Sequence, residues 1–373
     1  MTTQSAPGAK KVVVLFGGSS GEHEVSCVTA GGVFGALDPE RYEIFAVGIT
    51  PSGRWVLASN DARDWQIEDG VLPQISEHGT EVLLPQRQGD RVWRLIDNDG
   101  RVQDLAEIDV VIPLLHGPYG EDGTIQGALD LLNIPYVGSG VLSSAACMDK
   151  QMMKTVLSEA GMPMGAYVAL EPGEWGRDEA SARARISELG LPVFVKPARA
   201  GSSVGISRVS DLADLPAAIA EAERHDPKLV VEAGISGREI ECAVLDSVNN
   251  LPPRASLPGE IVVRSGEFYD YESKYVNTSG IDLKAPAELP PETVARVQEL
   301  AVQAFRAVGA EGLARVDFFV AETGEVLINE INTMPGFTPF SMYPKLWEVT
   351  GLSFGELIDE LVELALNRPV GLR

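Results

Sequence analysis

The chain has 373 residues, 45% of them hydrophobic, which is enough for about two or three domains that each bury a core. Its formal net charge of −24 repels a phosphate backbone, so nucleic acid is excluded as a general partner and an anionic substrate needs a local basic pocket. Three widely spaced cysteines, a polar N-terminus and no apolar run near the ~20 residues that cross a bilayer indicate a soluble, cytoplasmic protein without a membrane partner.

The first third of the chain predicts an open α/β sheet, because strand patterns alternate with helical ones. Residues 12–16 form a β-branched run that ends at a glycine pair, which is typical of a buried parallel strand. We expect further strands at 42–50 and 108–115, helices at 22–37 and 124–132, and an antiparallel elaboration across 51–104 with short strands at 82–84 and 92–96.

The remaining two thirds predict a small α+β domain followed by a larger one. We place the domains at 1–140, 141–234 and 235–373, with a break at 135–140. Helices are expected at 149–161, 178–189, 211–224, 291–308 and 353–366, and strands at 192–196, 205–208, 229–232, 238–245, 261–263, 313–321 and 326–331.

The last two predicted strands carry the strongest chemical signal. A turn at 321–324 would pair them as a hairpin, and residues two apart share one face of a strand. Arg315 and Asp317 then lie on one face with Glu330 and Asn332 of the partner strand. Hard oxygen ligands of this kind suit Mg²⁺ shared with substrate phosphates. The alternative is a solvated sheet face with salt bridges, which the apolar residues on either side of these motifs disfavour.

A lysine at a strand end and a serine-rich loop form the second candidate site. Lys196 can present its ammonium group to phosphate oxygens, and residues 201–203 can offer backbone N–H groups and hydroxyls. The loop is not a Walker A motif, and an ordinary turn is the alternative.

Two further loops follow buried strands near the N-terminus. Residues 17–26 open a helix whose N-terminus favours anions, although Glu22 and Glu24 are also good partners for the helix dipole there. His23 has no second histidine at ligand spacing, so we do not predict it as a metal ligand. His116 ends a strand where open sheets bind ligands, and a tight structural loop is the alternative.

Seven segments, in this order, resemble the D-alanine–D-alanine ligases of the ATP-grasp superfamily, over nearly the whole chain. They are GGSSGEHEVS (17–26), HGPYGEDGTIQG (116–127), MDK (148–150), VKPARAGSSVG (195–205), FYDYESKY (268–275), RVDFF (315–319) and NEINTMPGFTPFSM (329–342). The resemblance implies an ATP-grasp fold of α/β and α+β domains, with ATP bound between the central and C-terminal domains.

The same resemblance implies which residues meet the nucleotide and the metal. Lys150 and Lys196 would contact the phosphates, Glu232 with the following backbone the adenine, and Glu239 the ribose. The implied ATP-binding set also includes Ser203, Ala233, Ile235 and Lys274. Asp317, Glu330 and Asn332 would hold two Mg²⁺ ions, for which Mn²⁺ is a substitute.

For the amino-acid substrates, Glu22 would meet the ammonium group of the first D-alanine, with Ser202 and Tyr275 bridging to it. Arg315 and the Gly336 amide would stabilise the oxyanion. Further substrate contacts would come from His116, Ser341 and Met342, and the FYDYESKY segment would be a lid.

The implied reaction joins two D-alanines through an acyl phosphate, releases ADP and phosphate, and supplies peptidoglycan precursors; a homodimer is also implied. One rival is a depsipeptide ligase, whose lid lacks the tyrosine found here at Tyr275. A second is a nucleotide-binding regulator without catalysis, which would have lost the metal ligands or Arg315. Other ATP-grasp enzymes would share the metal motif but not Glu22 with the lid segment. Ala200, where some relatives carry an acid, departs from the pattern, and residues 51–104 have no assigned role.

Overall fold

The structure is a computed structural model, and it describes residues 8–97, 99–249, 251–263 and 281–368. These residues form three β-sheets, which follow one another along the chain, together with ten α-helices. Lys274 and Tyr275 lie outside the described residues, as does the FYDYESKY segment. In the described part of the chain, no helix is long and apolar enough to span a membrane.

The first sheet has seven strands and contains the predicted antiparallel elaboration. Its order is β6-β5-β4-β3-β2-β1-β7, and β1 is parallel to both β2 and β7. The strands are β1 (Lys10–Gly17), β2 (Tyr42–Ile49), β3 (Trp55–Leu57), β4 (Glu81–Leu83), β5 (Val92–Ile96), β6 (Val102–Glu107) and β7 (Val110–Pro113). Strands β3 to β6 pair antiparallel and extend the sheet from β2, which confirms the interpretation of residues 51–104 as an elaboration.

Helices α1 (His23–Ala36) and α2 (Thr124–Leu132) lie where the sequence predicts them. Helix α3 (Val141–Met148) was not predicted; its sequence, VLSSAACM, is short and rich in small residues that give little helical periodicity. Helix α4 (Lys150–Glu159) follows at once, because Asp149 caps it by accepting hydrogen bonds from the backbone N–H groups of Gln151 and Met152.

The second sheet is antiparallel, with the order β10-β9-β11-β8. Its strands are β8 (Tyr167–Leu170), β9 (Val193–Pro197), β10 (Ser207–Val209) and β11 (Leu229–Ala233). Its helices are α5 (Glu174–Arg177), α6 (Glu179–Ser187) and α7 (Leu215–Glu223). The predicted helix at 211–224 begins as a 3₁₀ turn at Leu212–Asp214, where the Asp211 side chain accepts a hydrogen bond from the Ala213 N–H.

The third sheet has six strands and carries the predicted hairpin. Its strands are β12 (Gly237–Leu245), β13 (Arg254–Ala255), β14 (Gly259–Val263), β15 (Ile281–Lys284), β16 (Leu313–Ala321) and β17 (Val326–Asn332). Strands β16 and β17 pair antiparallel across a turn in which the Gly324 N–H donates to the Ala321 carbonyl at 2.9 Å, so the hairpin prediction is confirmed.

Three more helices follow, α8 (Pro291–Ala307), α9 (Met342–Thr350) and α10 (Phe354–Asn367). Helices α8 and α9 pack against the third sheet, whereas α10 packs against α9, α1 and strand β7 of the first sheet. Helix α9 was not predicted, since Pro344 falls inside it; the first turn of a helix tolerates proline because its N–H groups have no intrahelical partner. Helix α10 begins with a full capping box between Ser353 and Glu356.

The buried side chains divide unevenly among the sheets. Residues of β1, β7 and α1 share one hydrophobic cluster with β12, α9 and α10, which links the first and third sheets. The second sheet buries a cluster of its own, drawn only from residues between Leu170 and Val231. Helices α3 and α4 contribute Cys147, Met153 and Leu157 to a cluster of the third sheet.

Candidate active site

A cavity of about 1150 Å³ receives residues from the regions of all three sheets. Every described residue that the sequence assigned to a site lines it. These residues are Glu22, His116, Lys150, Lys196, Ser202, Ser203, Glu232, Ala233, Ile235, Glu239, Arg315, Asp317, Glu330, Asn332, Gly336, Ser341 and Met342. The structure therefore brings together side chains that are more than 300 positions apart in the chain.

The β16–β17 hairpin forms a charged floor for the cavity. Arg315 pairs in register with Asn332, and Asp317 with Glu330. The Arg315 guanidinium donates to both oxygens of Asp317, at 2.6 and 2.7 Å, and Asn332 Nδ2 donates to Asp317 Oδ2 at 3.0 Å. The shared face predicted from the alternation of residues is thus present.

Arg315 has a second acidic neighbour, Glu241 of strand β12, whose Oε2 lies 3.1 Å from Arg315 Nε. Burial alone would lower the pKa of the guanidinium, but Asp317 and Glu241 outweigh burial and hold that pKa well above its ordinary value. A buried cation with a fixed direction is suited to stabilise negative charge that develops beside it.

The charged floor offers three side chains whose oxygens could bind a metal: the carboxylates of Asp317 and Glu330 and the amide of Asn332. This set fits Mg²⁺, which binds few protein oxygens and shares the rest of its coordination with water and phosphate. Among the described residues, no cluster of three or more His, Cys, Asp or Glu side chains could hold a metal by itself.

Three lysines form the basic side of the cavity. Lys150 and Lys154 lie one turn apart on α4, and Lys196 lies on β9. Lys150 Nζ donates to the Ala200 carbonyl at 2.8 Å, and Lys196 Nζ lies 2.5 Å from Glu232 Oε2. Burial, with the neighbouring lysines, lowers the pKa of Lys150, whereas Glu232 outweighs burial and raises the pKa of Lys196.

Glu232 is itself held by two cations. Its Oε1 lies 2.9 Å from Lys154 Nζ, while Lys196 contacts its other oxygen. Burial alone would raise the pKa of Glu232, but the two ammonium groups outweigh burial and bring that pKa down to about 2. Glu232 is therefore a fixed anion next to Ala233 and Ile235, which line the same end of the cavity.

The serine loop after β9 approaches the start of α1. The Ser202 hydroxyl donates a short hydrogen bond to Glu22 Oε1, 180 positions away in the chain. Ser202 and Ser203 have φ angles of 48° and 61°, in the left-handed region that non-glycine residues rarely adopt. Such strained backbone persists where surrounding contacts hold it and is common in ligand clamps.

Glycines make the approach to Glu22 possible. A Cβ atom on Gly117 would lie 2.5 Å from Glu22 Oε2, and one on Gly201 would lie 3.0 Å from the same oxygen. A side chain at Gly117, whose φ is 72°, or at Gly201 would therefore press on the Glu22 carboxylate and displace it.

His116 is buried behind Glu22. Its Nδ1 lies 3.4 Å from Glu121 Oε1, and its Nε2 lies 3.2 Å from the Thr29 hydroxyl. Burial alone would lower the His116 pKa, but Glu121 and Glu22 outweigh burial and raise the pKa above its ordinary value. The histidine therefore both braces the loop and lines the cavity, so the two alternatives for this loop are compatible.

The far end of the cavity contains Ser341 and Met342, where α9 begins. The Ser341 hydroxyl accepts a hydrogen bond from the Thr338 N–H at 3.1 Å and lies 2.8 Å from the Thr338 hydroxyl. Gly336 lies in the loop between β17 and this helix. A helix N-terminus beside the cavity is a suitable environment for a carboxylate.

The sequence analysis missed three contributions to the cavity. Lys154 repeats Lys150 at a spacing of four, and Glu241 repeats Glu239 at a spacing of two, so both follow periodicities that could have identified them. The third is the segment 62–67 of the elaboration, in which Trp65 packs edge-on against Phe16 at 4.7 Å between ring centroids. That contact depends on tertiary packing and leaves no local sequence signal.

Comparison with known proteins adds to this geometry. The D-ala D-ala ligase N-terminus family matches residues 11–139, and the D-ala D-ala ligase C-terminus family matches residues 156–363. A protein of Paenarthrobacter aurescens (strain TC1) named D-alanine--D-alanine ligase is 55% identical to this chain, with 100% of both chains covered.

Two solved structures are similar over almost the whole chain. A D-alanine-D-alanine ligase from Coxiella burnetii has 37% identity and a TM-score of 0.79, with 97% of this chain and 95% of that chain covered. The VanG D-Ala:D-Ser ligase from Enterococcus faecalis has 37% identity and a TM-score of 0.80, with 96% and 99% covered.

Proposed function

The chain belongs to the D-alanine–D-alanine ligase family, and from this premise we propose how its cavity carries out the reaction. It is an ATP-dependent ligase of the ATP-grasp fold that joins two D-alanines to D-alanyl-D-alanine for peptidoglycan synthesis. One observation carries the assignment of roles: the lysines of α4 and β9 and the charged hairpin floor line the same cavity.

The nucleotide binds at the basic side. Lys150 and Lys196 contact the phosphate groups, with Ser203 of the strained loop beside them and Lys274 completing the set. Glu232 and the backbone of Ala233 and Ile235 meet the adenine, and Glu239 meets the ribose; all four line that end of the cavity. These two lysines of the cavity, Lys150 and Lys196, support the proposal, because a protein with a net charge of −24 must provide local positive charge for a triphosphate.

The first D-alanine binds at Glu22, where the loop that contains Gly117 and the serine loop after β9 approach each other. Glu22 receives its ammonium group, and the Ser202 hydroxyl, which donates to Glu22, connects this carboxylate to the serine loop after β9. By the sequence resemblance, Tyr275 would also bridge to Glu22. His116 lies near Glu22, whose charge raises the pKa of the histidine. The D-alanine carboxylate then attacks the γ-phosphoryl group of ATP and forms an acyl phosphate, with ADP as the leaving group. Lysines on the phosphates stabilise the charge that develops in this step.

The second D-alanine enters from the α9 side, where Ser341 and Met342 meet its carboxylate. Its amine attacks the carbonyl carbon of the acyl phosphate, and inorganic phosphate leaves as the dipeptide forms. Arg315 and the Gly336 N–H stabilise the oxyanion of this step. Exclusion of water matters throughout, because an acyl phosphate left open hydrolyses.

Asp317, Glu330 and Asn332 would hold two Mg²⁺ ions, or Mn²⁺ in their place, and the oxygen chemistry of the floor supports this ligand set. Bound there, the ions neutralise charge on the nucleotide phosphates. Arg315 donates to both oxygens of Asp317, so a cation already holds this proposed ligand in place.

Assembly and cellular location extend the proposal. We propose domains at 1–140, 141–234 and 235–373, a homodimer, and a cytoplasmic enzyme that takes its substrates from solution. Light scattering after gel filtration tests the oligomer, and a single species of monomer mass would reject it.

A D-Ala:D-Ser ligase is a second candidate, because VanG is as similar to the chain as the Coxiella burnetii ligase is. The test is phosphate release from Mg²⁺-ATP with D-alanine alone, L-alanine alone, or D-alanine with D-serine or D-lactate, followed by mass analysis of the product. Release with D-alanine alone that yields only the D,D-dipeptide supports the proposal. A mixed dipeptide as the main product would show that D-serine is the preferred second substrate, and an ester would show that D-lactate is.

A further inference from the structure

A third lysine of the cavity has no part in the mechanism given above. Lys154 lies one helical turn after Lys150 on α4, so the two side chains share a face of the helix. It is only 2% exposed, although lysine is rarely buried without a partner. A buried ammonium group that lines a nucleotide site without an assigned ligand calls for a specific role.

The contacts of Lys154 hold it in one position. Its Nζ lies 2.9 Å from Glu232 Oε1 and 3.5 Å from the Asn329 carbonyl, and it lies 5.5 Å from the centre of the Tyr167 ring. These partners belong to three different strands, β11, β17 and β8. Lys154 therefore connects the helix that carries Lys150 to the strand that carries Glu330.

Lys154 shares its carboxylate partner with Lys196. Lys196 Nζ lies 2.5 Å from Glu232 Oε2, so Lys196 is paired with an acid. To contact a phosphate group, Lys196 must weaken that pair. A carboxylate left in the protein interior without a cation is strongly unfavourable. Lys196 can therefore move from Glu232 to a phosphate group at low free-energy cost only if a second cation stays on Glu232.

We propose that Lys154 is a positioning residue, which keeps Glu232 neutralised and in place while Lys196 turns to the phosphate groups of ATP. The inference rests on the nucleotide site proposed above and deepens it. Without Lys154, Glu232 and Lys196 form a simple pair that ATP must break. Nucleotide affinity then falls, while the D-alanine end of the cavity, which Lys154 does not contact, is unaffected.

The first test is steady-state kinetics of Lys154→Met, which keeps the length of the side chain and removes its charge. We expect KM for ATP to rise roughly tenfold or more, as breaking a buried ion pair predicts, with KM for D-alanine unchanged. Lys154→Arg, which retains the charge, should recover part of the ATP affinity. Lys154→Gln provides a polar variant if the methionine variant does not fold.

Lys228→Met is the matched control. Lys228 Nζ lies 2.8 Å from Asp149 Oδ2, at the start of the same helix, and Lys228 does not line the cavity. The control variant also loses a shielded lysine–aspartate pair, so it should lower the melting temperature and leave KM for ATP unchanged. An equal rise in KM for ATP in both variants would assign the effect to helix stability and overturn the proposal.

A double-mutant cycle separates positioning from general packing. If Lys154 acts through Glu232, then Lys154→Met in a Glu232→Gln background should change KM for ATP by less than about twofold. An effect of the same size in both backgrounds, or no effect of Lys154→Met alone, would overturn the inference. The nucleotide site itself is tested by Glu232→Gln and Lys196→Met: if both leave ATP affinity unchanged, that site and the Lys154 inference fail together. If they weaken ATP binding and Lys154→Met does not, only the inference fails.

Discussion

The second sheet and the two outer sheets bury their apolar side chains in different ways. The second sheet keeps a core drawn only from residues between Leu170 and Val231. The first and third sheets instead share a core, in which Leu357 and Leu361 of α10 pack with residues of β1 and β7. We call residues 167–233, the second sheet with its helices, the central unit, and we call the other described residues the outer frame.

The cavity takes its chemistry from both parts. Lys196, Ser202 and Glu232 belong to the central unit, whereas Glu22, Arg315 and Glu330 belong to the outer frame. Because each part has its own core, the two can in principle open separately. The site is therefore assembled between two parts with separate hydrophobic cores, so a core substitution in one part should leave the charged side chains of the other in place.

The largest effect should come from the hairpin floor of the outer frame. Glu330→Gln removes a proposed metal ligand from a site that lines the cavity, and we expect a loss of turnover of at least about a hundredfold at saturating Mg²⁺. Binding of the nucleotide base to the central unit should persist. Glu325→Gln, in the exposed turn of the same hairpin, is the control and should be silent in a phosphate-release assay. Near-normal turnover of Glu330→Gln at low Mg²⁺ would remove Glu330 from the metal site.

Two core truncations compare the parts directly. Leu361→Ala removes a fully enclosed side chain of the outer frame and Ile219→Ala one of the central unit, at a cost of about 2–5 kcal/mol each. We expect Leu361→Ala to lower the free energy of global unfolding. Ile219→Ala should instead lower mainly the free energy at which the central unit opens. Urea unfolding followed by amide exchange measures both, and identical behaviour of the two variants would contradict the division.

Loss of the Ser202–Glu22 hydrogen bond, which joins the two parts, should lower activity by an intermediate amount. Ser202→Ala removes the hydroxyl that donates to Glu22, a hydrogen bond to a charged group worth about 1.5–3 kcal/mol. We expect kcat/KM for the first D-alanine to fall by about tenfold or more, with KM for ATP little changed. Ser210→Ala, at an exposed position of the central unit, is the matched control. A selective rise in KM for ATP would instead place Ser202 on the nucleotide.

The smallest effect should be that of His116, in the outer frame, on the pH dependence of folding stability. Glu121 and Glu22 raise the pKa of this histidine in the folded protein above the ordinary value of 6.5. The protonated histidine therefore adds stability that is complete below pH 6.5 and is lost as pH rises through the raised pKa. In thermal unfolding, the difference in Tm between wild type and His116→Asn should be greatest near pH 6 and decrease above it. A Tm difference that grows with pH would show that the pKa of His116 is lowered in the folded protein and not raised.

Most elements with a regular pattern could be predicted from the sequence. Strand β1, helix α2 and the β16–β17 hairpin have β-branched runs, helical periodicity or a turn signal, and the structure contains all three. Helices α3 and α9 could not be identified, because one is made of small residues and the other contains Pro344 in its first turn. In both cases tertiary packing stabilises a helix that local propensity does not favour.

The candidate site was predictable where its residues lie in sequence motifs. Arg315 and Asp317 were expected to share a strand face by alternation, and in the structure they do so and form a direct hydrogen-bonded pair. Lys154 and Glu241 lie outside the motifs, so only their spacing from Lys150 and Glu239 could have indicated them. The closeness of Ser202 to Glu22 depends on how the central unit meets the outer frame, which no local pattern encodes.

The most direct test of this division is hydrogen exchange measured by mass spectrometry, on the protein alone and with Mg²⁺, D-alanine and a non-hydrolysable ATP analogue. Without ligands, we predict that amides of β9 and β11 exchange through an opening of the central unit that leaves β16, β17 and α10 protected. With ligands, which contact both parts, this separate opening should disappear and all these strands should exchange at the global rate. A single opening free energy for all of them without ligands, or ligand protection limited to one of the two parts, would contradict the account.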